Sequence, residues 1–266
     1  MIILDGKIAR AHYTDVLIKR IKDLTFVPCL VIIQVGNRPD SDSYIKSKKS
    51  FAQKIGVKEI HIQFPENVEQ KEIIETIKKY NDDQSVQGII VQLPLPPHLN
   101  ADTIVEYIDS KKDVDGLTSQ TSFIPATARG ISELLDFYNV DLSNKKVTVV
   151  GRSKLVGLPI SKMCEKRKAI VTVCHSKTEN IKQKTKDADI VIVAIGKPHL
   201  IDESYLSKGQ IIVDVGITRV GEVLQGDVNF EKVKDIVEMI TPVPGGVGQM
   251  TVLSLFENLV DACYNG

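Results

Sequence analysis

The stretch Val147–Pro159, VTVVGRSKLVGLP, gathers residue types suited to holding a phosphate. Val147, Val149 and Val150 form a short β-branched run, the pattern of a buried strand. Gly151 ends the run. Gly157 and Pro159 follow, with Ile160 and Met163 at helical spacing. A strand that turns through glycine into a helix aims free N–H groups and the helix dipole at an anion. Pro159 suits a first helical turn, where no N–H is needed. Arg152 adds a cation and Ser153 a hydroxyl donor. The glycines do not fit G-x-G-x-x-G, so spacing alone also allows a plain βα turn with a surface arginine. The next apolar run ends in Cys174-His175-Ser176-Lys177-Thr178, which contains no carboxylate. NAD sites usually place Asp or Glu there, on the ribose 2′-OH. Arg152, Ser176 and Lys177 would instead receive a 2′-phosphate, so the expected cofactor is NADP rather than NAD. His175 is equally well read as a strand-end residue bonded to backbone.

Elsewhere the chemistry-bearing residues are dispersed. Tyr44 and Lys48 stand four apart and share a helix face. Gln92 closes an apolar run, and Asp115 lies in the polar loop Lys111–Gly116. From the residues alone these also read as an ordinary helix face, a strand-end amide and a turn carboxylate. Asp113-Val114-Asp115-Gly116 lacks the spacing of a calcium loop, so no metal is expected. Cys29, Cys164, Cys174 and Cys263 form no C-x-x-C pair and read as thiols in a reducing compartment. Lys+Arg and Asp+Glu balance at 34 each, which offers no electrostatic reason to expect nucleic acid as a partner. Asp5, Lys7 and Arg10 interrupt any signal peptide, and no apolar run approaches the ~20 residues of a membrane span. The expectation is a cytoplasmic protein with no membrane partner.

The elements that must position these residues alternate. Apolar spacing predicts a helix over 8–24, a buried strand over 30–35 and a helix from about 40 to 55 stopped by Gly56. A strand over 58–64 follows. Asn67 is expected to cap the next helix, through Ile73, Ile74 and Ile77, and Asn100 a short one through Ile104 and Ile108. Between them 87–93 reads as a strand, stopped by Pro94, Pro96 and Pro97. A helix over 131–138 is expected to connect two lobes. Strands then recur at 147–150, 170–173, 190–195, 211–215 and 237–240, each ending in a polar or Gly-rich tip. Five such tips suggest one ligand-binding edge, since open α/β sheets bind ligands at the carboxyl ends of their strands. The run 251–264 reads as a helix returning to the first lobe. The fold class is α/β with two lobes: 1–118 with 250–266, and a Rossmann-like parallel-sheet nucleotide lobe over 119–249.

The chain resembles the bifunctional methylenetetrahydrofolate dehydrogenase/cyclohydrolase family over nearly its whole length. The likeness rests on VGNRPDSDSYIKSKK (35–49), GIIVQLPLP (88–96), KDVDGL (112–117), VVGRSKLVGLP (149–159), CHSKT (174–178), VDVGI (213–217) and TPVPGGVGQMT (241–251). Each motif is weak; seven in order are specific. The resemblance implies a folate cleft between the lobes and a homodimer. It implies that NADP takes a hydride from 5,10-methylenetetrahydrofolate and that water then opens the methenyl product to 10-formyltetrahydrofolate. Residue by residue, it implies that Tyr44 stacks on the folate rings and Lys48 is catalytic. Gln92 would bond that lysine, and Asp115 would hold the pterin edge. Gly151, Arg152, Ser153, Ser176 and Ile217 would contact the nucleotide. Two departures stand out. The family often has Pro-Cys-Thr-Pro where this chain has Pro125-Ala126-Thr127-Ala128, and usually has Pro at Gln249, on a loop expected to face the folate. Without the proline ring at Ala128, the start of that helix is expected to be looser. These departures keep two alternatives open: a dehydrogenase with weak cyclohydrolase activity, and a non-catalytic dinucleotide sensor.

Overall fold

The structure, a computed structural model, describes residues 1–264 apart from the side chain of Asp40. In chain order the elements are β1 (Ile2–Ile3), α1 (Gly6–Lys22), β2 (Cys29–Val35), α2 (Pro39–Ile55), β3 (Lys58–Phe64), α3 (Gln70–Asp82), β4 (Gly88–Val91), α4 (Ala101–Val105) and α5 (Ala126–Phe137). They continue as β5 (Lys146–Val150), α6 (Gly157–Lys166), β6 (Ile170–Cys174), α7 (Ile181–Lys186), β7 (Ile190–Val193) and β8 (Ile211–Asp214). Last come β9 (Thr218–Val220), β10 (Val223–Gln225), α8 (Phe230–Val233), β11 (Met239–Ile240) and α9 (Val247–Tyr264). Contacts divide the chain into two compact units. Met1–Ala11 joins Thr127–Thr251, and His12–Ala126 joins the chain from Val252. The expected boundaries put the N-terminal segment with the other unit. It lies where it does because Ile2 and Ile3 pair with Met239 and Ile240 as an added parallel strand.

The unit built on His12–Ala126 carries a three-stranded parallel sheet, order β3-β2-β4. β2, CLVIIQV, is central and wholly buried, as a continuous apolar run in a parallel sheet must be. α2 begins with Pro39 in its first turn and stops at Gly56, which takes φ 78° and donates its N–H to the carbonyls of Ala52 and Gln53. Asn100 caps α4 by accepting from the Thr103 N–H. Asn67 caps nothing. It sits in a turn closed by the Val68 N–H on the Pro65 carbonyl, and α3 starts at Gln70 without a side-chain cap. From Val252 onward α9 is buried nearly all round, so it belongs inside this unit. Phe256 meets Phe51 edge-on with ring centroids 5.4 Å apart. Asn258, one of its buried polar residues, donates to the carbonyls of Val114 and Ile124.

The other unit carries a six-stranded, all-parallel sheet, order β1-β11-β8-β7-β5-β6. The chain passes from β5 to β6 on one side and then to β7 on the other. That reversal is the topological switch point where doubly wound sheets take their ligands. β9 and β10 form a small antiparallel hairpin beyond β8.

Candidate active site

Lys48 projects from α2 one turn after Tyr44, and its Nζ donates to Gln92 Oε1 at 2.9 Å. Gln92 follows β4 directly, anchored by its own N–H on the Ile33 carbonyl. Its carboxamide is oriented from the other end, because Nε2 donates to the Leu93 carbonyl at 2.8 Å. Oε1 is therefore the atom that faces the lysine. Dehydration around the Lys48 ammonium pushes its pKa below that of a free lysine, and the charge of Asp115 pulls part of the way back. Burial raises the Asp115 carboxyl, Lys48 opposes that rise, and Asp113 adds to it. The structure thus brings Lys48, Gln92 and Asp115 together, with Tyr44 38% exposed on the same helix. Asp113 is a member that sequence reasoning missed. Fully buried, it accepts the N–H groups of Gly116 and Thr118 and so shapes the turn that carries Asp115. A groove of about 720 Å³ on another face of α2, lined by Lys46, Lys49, Glu59 and His61 among others, does not include Lys48.

In the six-stranded unit, the β5 tip turns at Gly151 with φ 126°. A Cβ there would stand 2.1 Å from the Ala194 carbonyl oxygen, so no larger residue fits. Ser153 shapes the turn into α6, its hydroxyl accepting from the Gly157 N–H at 3.2 Å and its carbonyl from Leu158. Arg152 is exposed and, among the described residues, makes no ion pair. Ser176 and Lys177 present exposed side chains at the β6 tip. His175 does what a strand-end residue does: its Nδ1 accepts from the Lys177 N–H, while its own N–H donates to the Thr178 hydroxyl. Ile217 follows β8, beside Gly248. An exposed arginine, exposed donors and a ten-residue helix opening at the turn fit a phosphorylated dinucleotide.

Both family departures are accommodated. α5 starts at Ala126, which is anchored by its N–H on the Asp115 carbonyl, and Ala128 is fully buried. Gln249 lies in the first turn of α9 rather than on a loop, and its Oε1 accepts from Arg10 Nη1 at 2.9 Å. Among the described residues no group of three or more His, Cys, Asp or Glu side chains is placed to hold a metal ion. No helix among them is long and apolar enough to cross a membrane.

Fold and site together define an α/β enzyme class: a doubly wound dinucleotide sheet joined in one chain to a second α/β unit holding a dehydrated lysine. Family profiles place it further. Residues 4–115 match the catalytic domain, and 125–265 the NAD(P)-binding domain, of tetrahydrofolate dehydrogenase/cyclohydrolase. The chain belongs to the tetrahydrofolate dehydrogenase/cyclohydrolase family. It is 43% identical to the bifunctional protein FolD of Agathobacter rectalis, over 98% of each chain. The crystal structure of the bifunctional FolD enzyme from Campylobacter jejuni superposes with a TM-score of 0.96 at 39% identity, covering 100% of this chain and 99% of that one. The Trypanosoma brucei enzyme, solved with NADP and an inhibitor, superposes at 0.94 with 30% identity, covering 100% and 98%.

Proposed function

We propose that the chain oxidises 5,10-methylenetetrahydrofolate with NADP and hydrolyses the methenyl product to 10-formyltetrahydrofolate, with Lys48 handling the proton of the second step. The observation that carries the lysine's role is its dehydrated amine, bonded to Gln92 at 2.9 Å and close enough to Asp115 to feel its charge. Asp115 can accept the adjacent N–H donors of a pterin edge in bidentate fashion. Tyr44 offers a flat ring with a polar tip. Bound NADP supplies the hydride acceptor. The turn at Gly151, with Arg152 and Ser153, would hold its pyrophosphate. Ser176 would take the 2′-phosphate, and Ile217 would border the nicotinamide end.

In the first step the folate nitrogen supplies the electrons as hydride leaves its carbon. The protein's part is alignment. In the second, water adds to the methenyl carbon and gives up one proton; the bond to one ring nitrogen then breaks, that nitrogen taking the remaining hydroxyl proton, which leaves the formyl group on the other. A free lysine, with pKa ~10.4, is a poor acceptor for that proton near neutrality. Dehydration corrects this by favouring the neutral amine. Gln92, uncharged, orients that amine.

The functional partners of this reading are tetrahydrofolate one-carbon derivatives and a second copy of the chain. The balanced charge offers no electrostatic reason to expect nucleic acid, and four free thiols suit a cytoplasmic enzyme. Homodimerisation through β6 is supported by its position at the sheet edge, with Ile170 59% exposed and unpaired backbone alongside. The test assays both steps on one preparation. The parent should form NADPH from methylenetetrahydrofolate and hydrolyse methenyltetrahydrofolate. Lys48→Met should lose about 10²–10⁴-fold in hydrolysis while still binding NADP. Hydrolysis by Lys48→Met at the parent rate would refute the assignment.

A further inference from the structure

Two acidic residues of the six-stranded unit lie outside everything assigned so far. Asp214 closes β8 and is 3% exposed; Asp227, after β10, is fully buried. A carboxylate in such a place needs donors, since an unpaired buried charge is strongly disfavoured. Both have them. Asp227 Oδ2 accepts the N–H groups of Ile195 at 2.6 Å and Gly196 at 2.9 Å, and its Oδ1 that of Lys197 at 2.7 Å. Asp214 Oδ1 accepts from Gly216 and Asp227, both at 3.0 Å, and its Oδ2 from Val228 at 2.9 Å. The Thr241 hydroxyl accepts the Asp214 N–H at 2.7 Å, tying in the segment after β11. Six backbone donors from three segments thus converge on two side chains. The packing leaves no slack. A Cβ on Gly216 would stand 2.2 Å from Asp227 Cγ, and one on Gly226 2.0 Å from Asp214 Oδ2.

The placement gives this cluster its meaning. The β5 turn suits the pyrophosphate and the β6 tip the 2′-phosphate. The other half of a dinucleotide must then run the opposite way across the switch point, over the tips of β7 and β8. Those tips are Ile195–Lys197 and Asp214–Ile217, the segments the two carboxylates hold. We propose that Asp227, itself held by Asp214, is a positioning residue for the nicotinamide half of the cofactor, fixing the β7 and β8 tips at the height where hydride transfer needs them. The proposal rests on the NADP reading given above. Six bonds from backbone N–H groups are a strong clamp, because losing either acceptor would leave buried donors unsatisfied. A displacement of order 1 Å at such tips is enough to slow transfer about 10²-fold.

The experiment uses the full chain and the variant Asp227→Asn, nearly identical in shape, whose NH₂ meets one of the three N–H donors head-on. Binding of NADP and of 2′,5′-ADP, which carries only the adenosine and 2′-phosphate half, is measured by calorimetry, and NADP reduction by steady-state kinetics. The expected result is unchanged affinity for 2′,5′-ADP, at least tenfold weaker NADP binding, and kcat for reduction lowered by tenfold or more. Asp227→Glu, which keeps the charge but displaces it, should show the same split. Parent-like NADP binding and reduction in Asp227→Asn would overturn the proposal. So would equal loss of 2′,5′-ADP and NADP in both variants, which marks collapse of the whole nucleotide edge. Failure of the parent to bind NADP would overturn the cofactor reading itself, and is thereby told apart from failure of the clamp.

Discussion

At the scale of single residues, Lys48 and Asp115 pull on each other. Asp115 favours the ammonium form of Lys48, against the dehydration that disfavours it. Asp115→Asn removes that pull. The alkaline-rising limb of the hydrolysis rate, which follows loss of the Lys48 proton, should therefore move to lower pH, while KM for the folate rises. A pH–rate profile of the variant checks both; a limb moving upward would show that Asp115 acts otherwise. Asp214 makes a second pH prediction. Burial pushes its carboxyl up to about 7, against bonds from the N–H groups of Val228 and Asp227 that draw it down. Its unfolded value is ~3.9. Between those values the native state holds a proton that the unfolded state has lost, so stability falls as pH rises from about 4 toward 7 and levels off above. Denaturant melts of the parent should show that extra decline relative to Asp214→Asn. None of this was legible from composition or spacing. The turn and strand-end positions of Asp214 and Asp227 predict nothing, because their partners, from Ile195 to Val228, are brought together only by the folded sheet.

At the scale of elements, α9 separates what local pattern reveals from what it hides. Its run of Val252, Leu255, Phe256, Leu259 and Val260 reads from sequence as a helix returning to the first lobe, and all five are buried. Phe256 fills the site against Phe51, so Phe256→Ala should cost about 3–5 kcal/mol of stability through lost burial and the cavity left behind. Chemical denaturation of the purified variant measures it; a loss below about 1 kcal/mol would mean that the site collapses around the gap. Elements with strong local signals were legible in the same way: β2 from its apolar run, the end of α2 from Gly56, the start of α4 from Asn100. Asn67 misled because a turn at Pro65–Val68 claims that segment before α3 begins. β1, with two residues, and the hairpin of β9 and β10, with three each, are too short to show a period. The Lys48–Gln92–Asp115 cluster was readable only through its likeness to a family, since α2, β4 and a loop bring it together and no spacing links them.

At the scale of the whole molecule, the two reactions belong to one chain whose nucleotide sheet has an open side at β6. Ile170→Lys places a charge on that edge without touching the β5 ladder, and should shift light-scattering mass from dimer toward monomer with both activities measured alongside. An unchanged mass would remove β6 from the interface. The division of the chain carries a further consequence. The first eleven residues belong with Thr127–Thr251, and the stretch from Val252 belongs with His12–Ala126. A ribosome making this protein has exposed most of both units long before either can close. β1 must wait for β11, and the core around Phe51 must wait for Phe256. The unit built on Thr127–Thr251 can close once β11 and the start of α9 are made, but the unit built on His12–Ala126 cannot, so its hydrophobic interior stays unsealed until synthesis has passed residue 256.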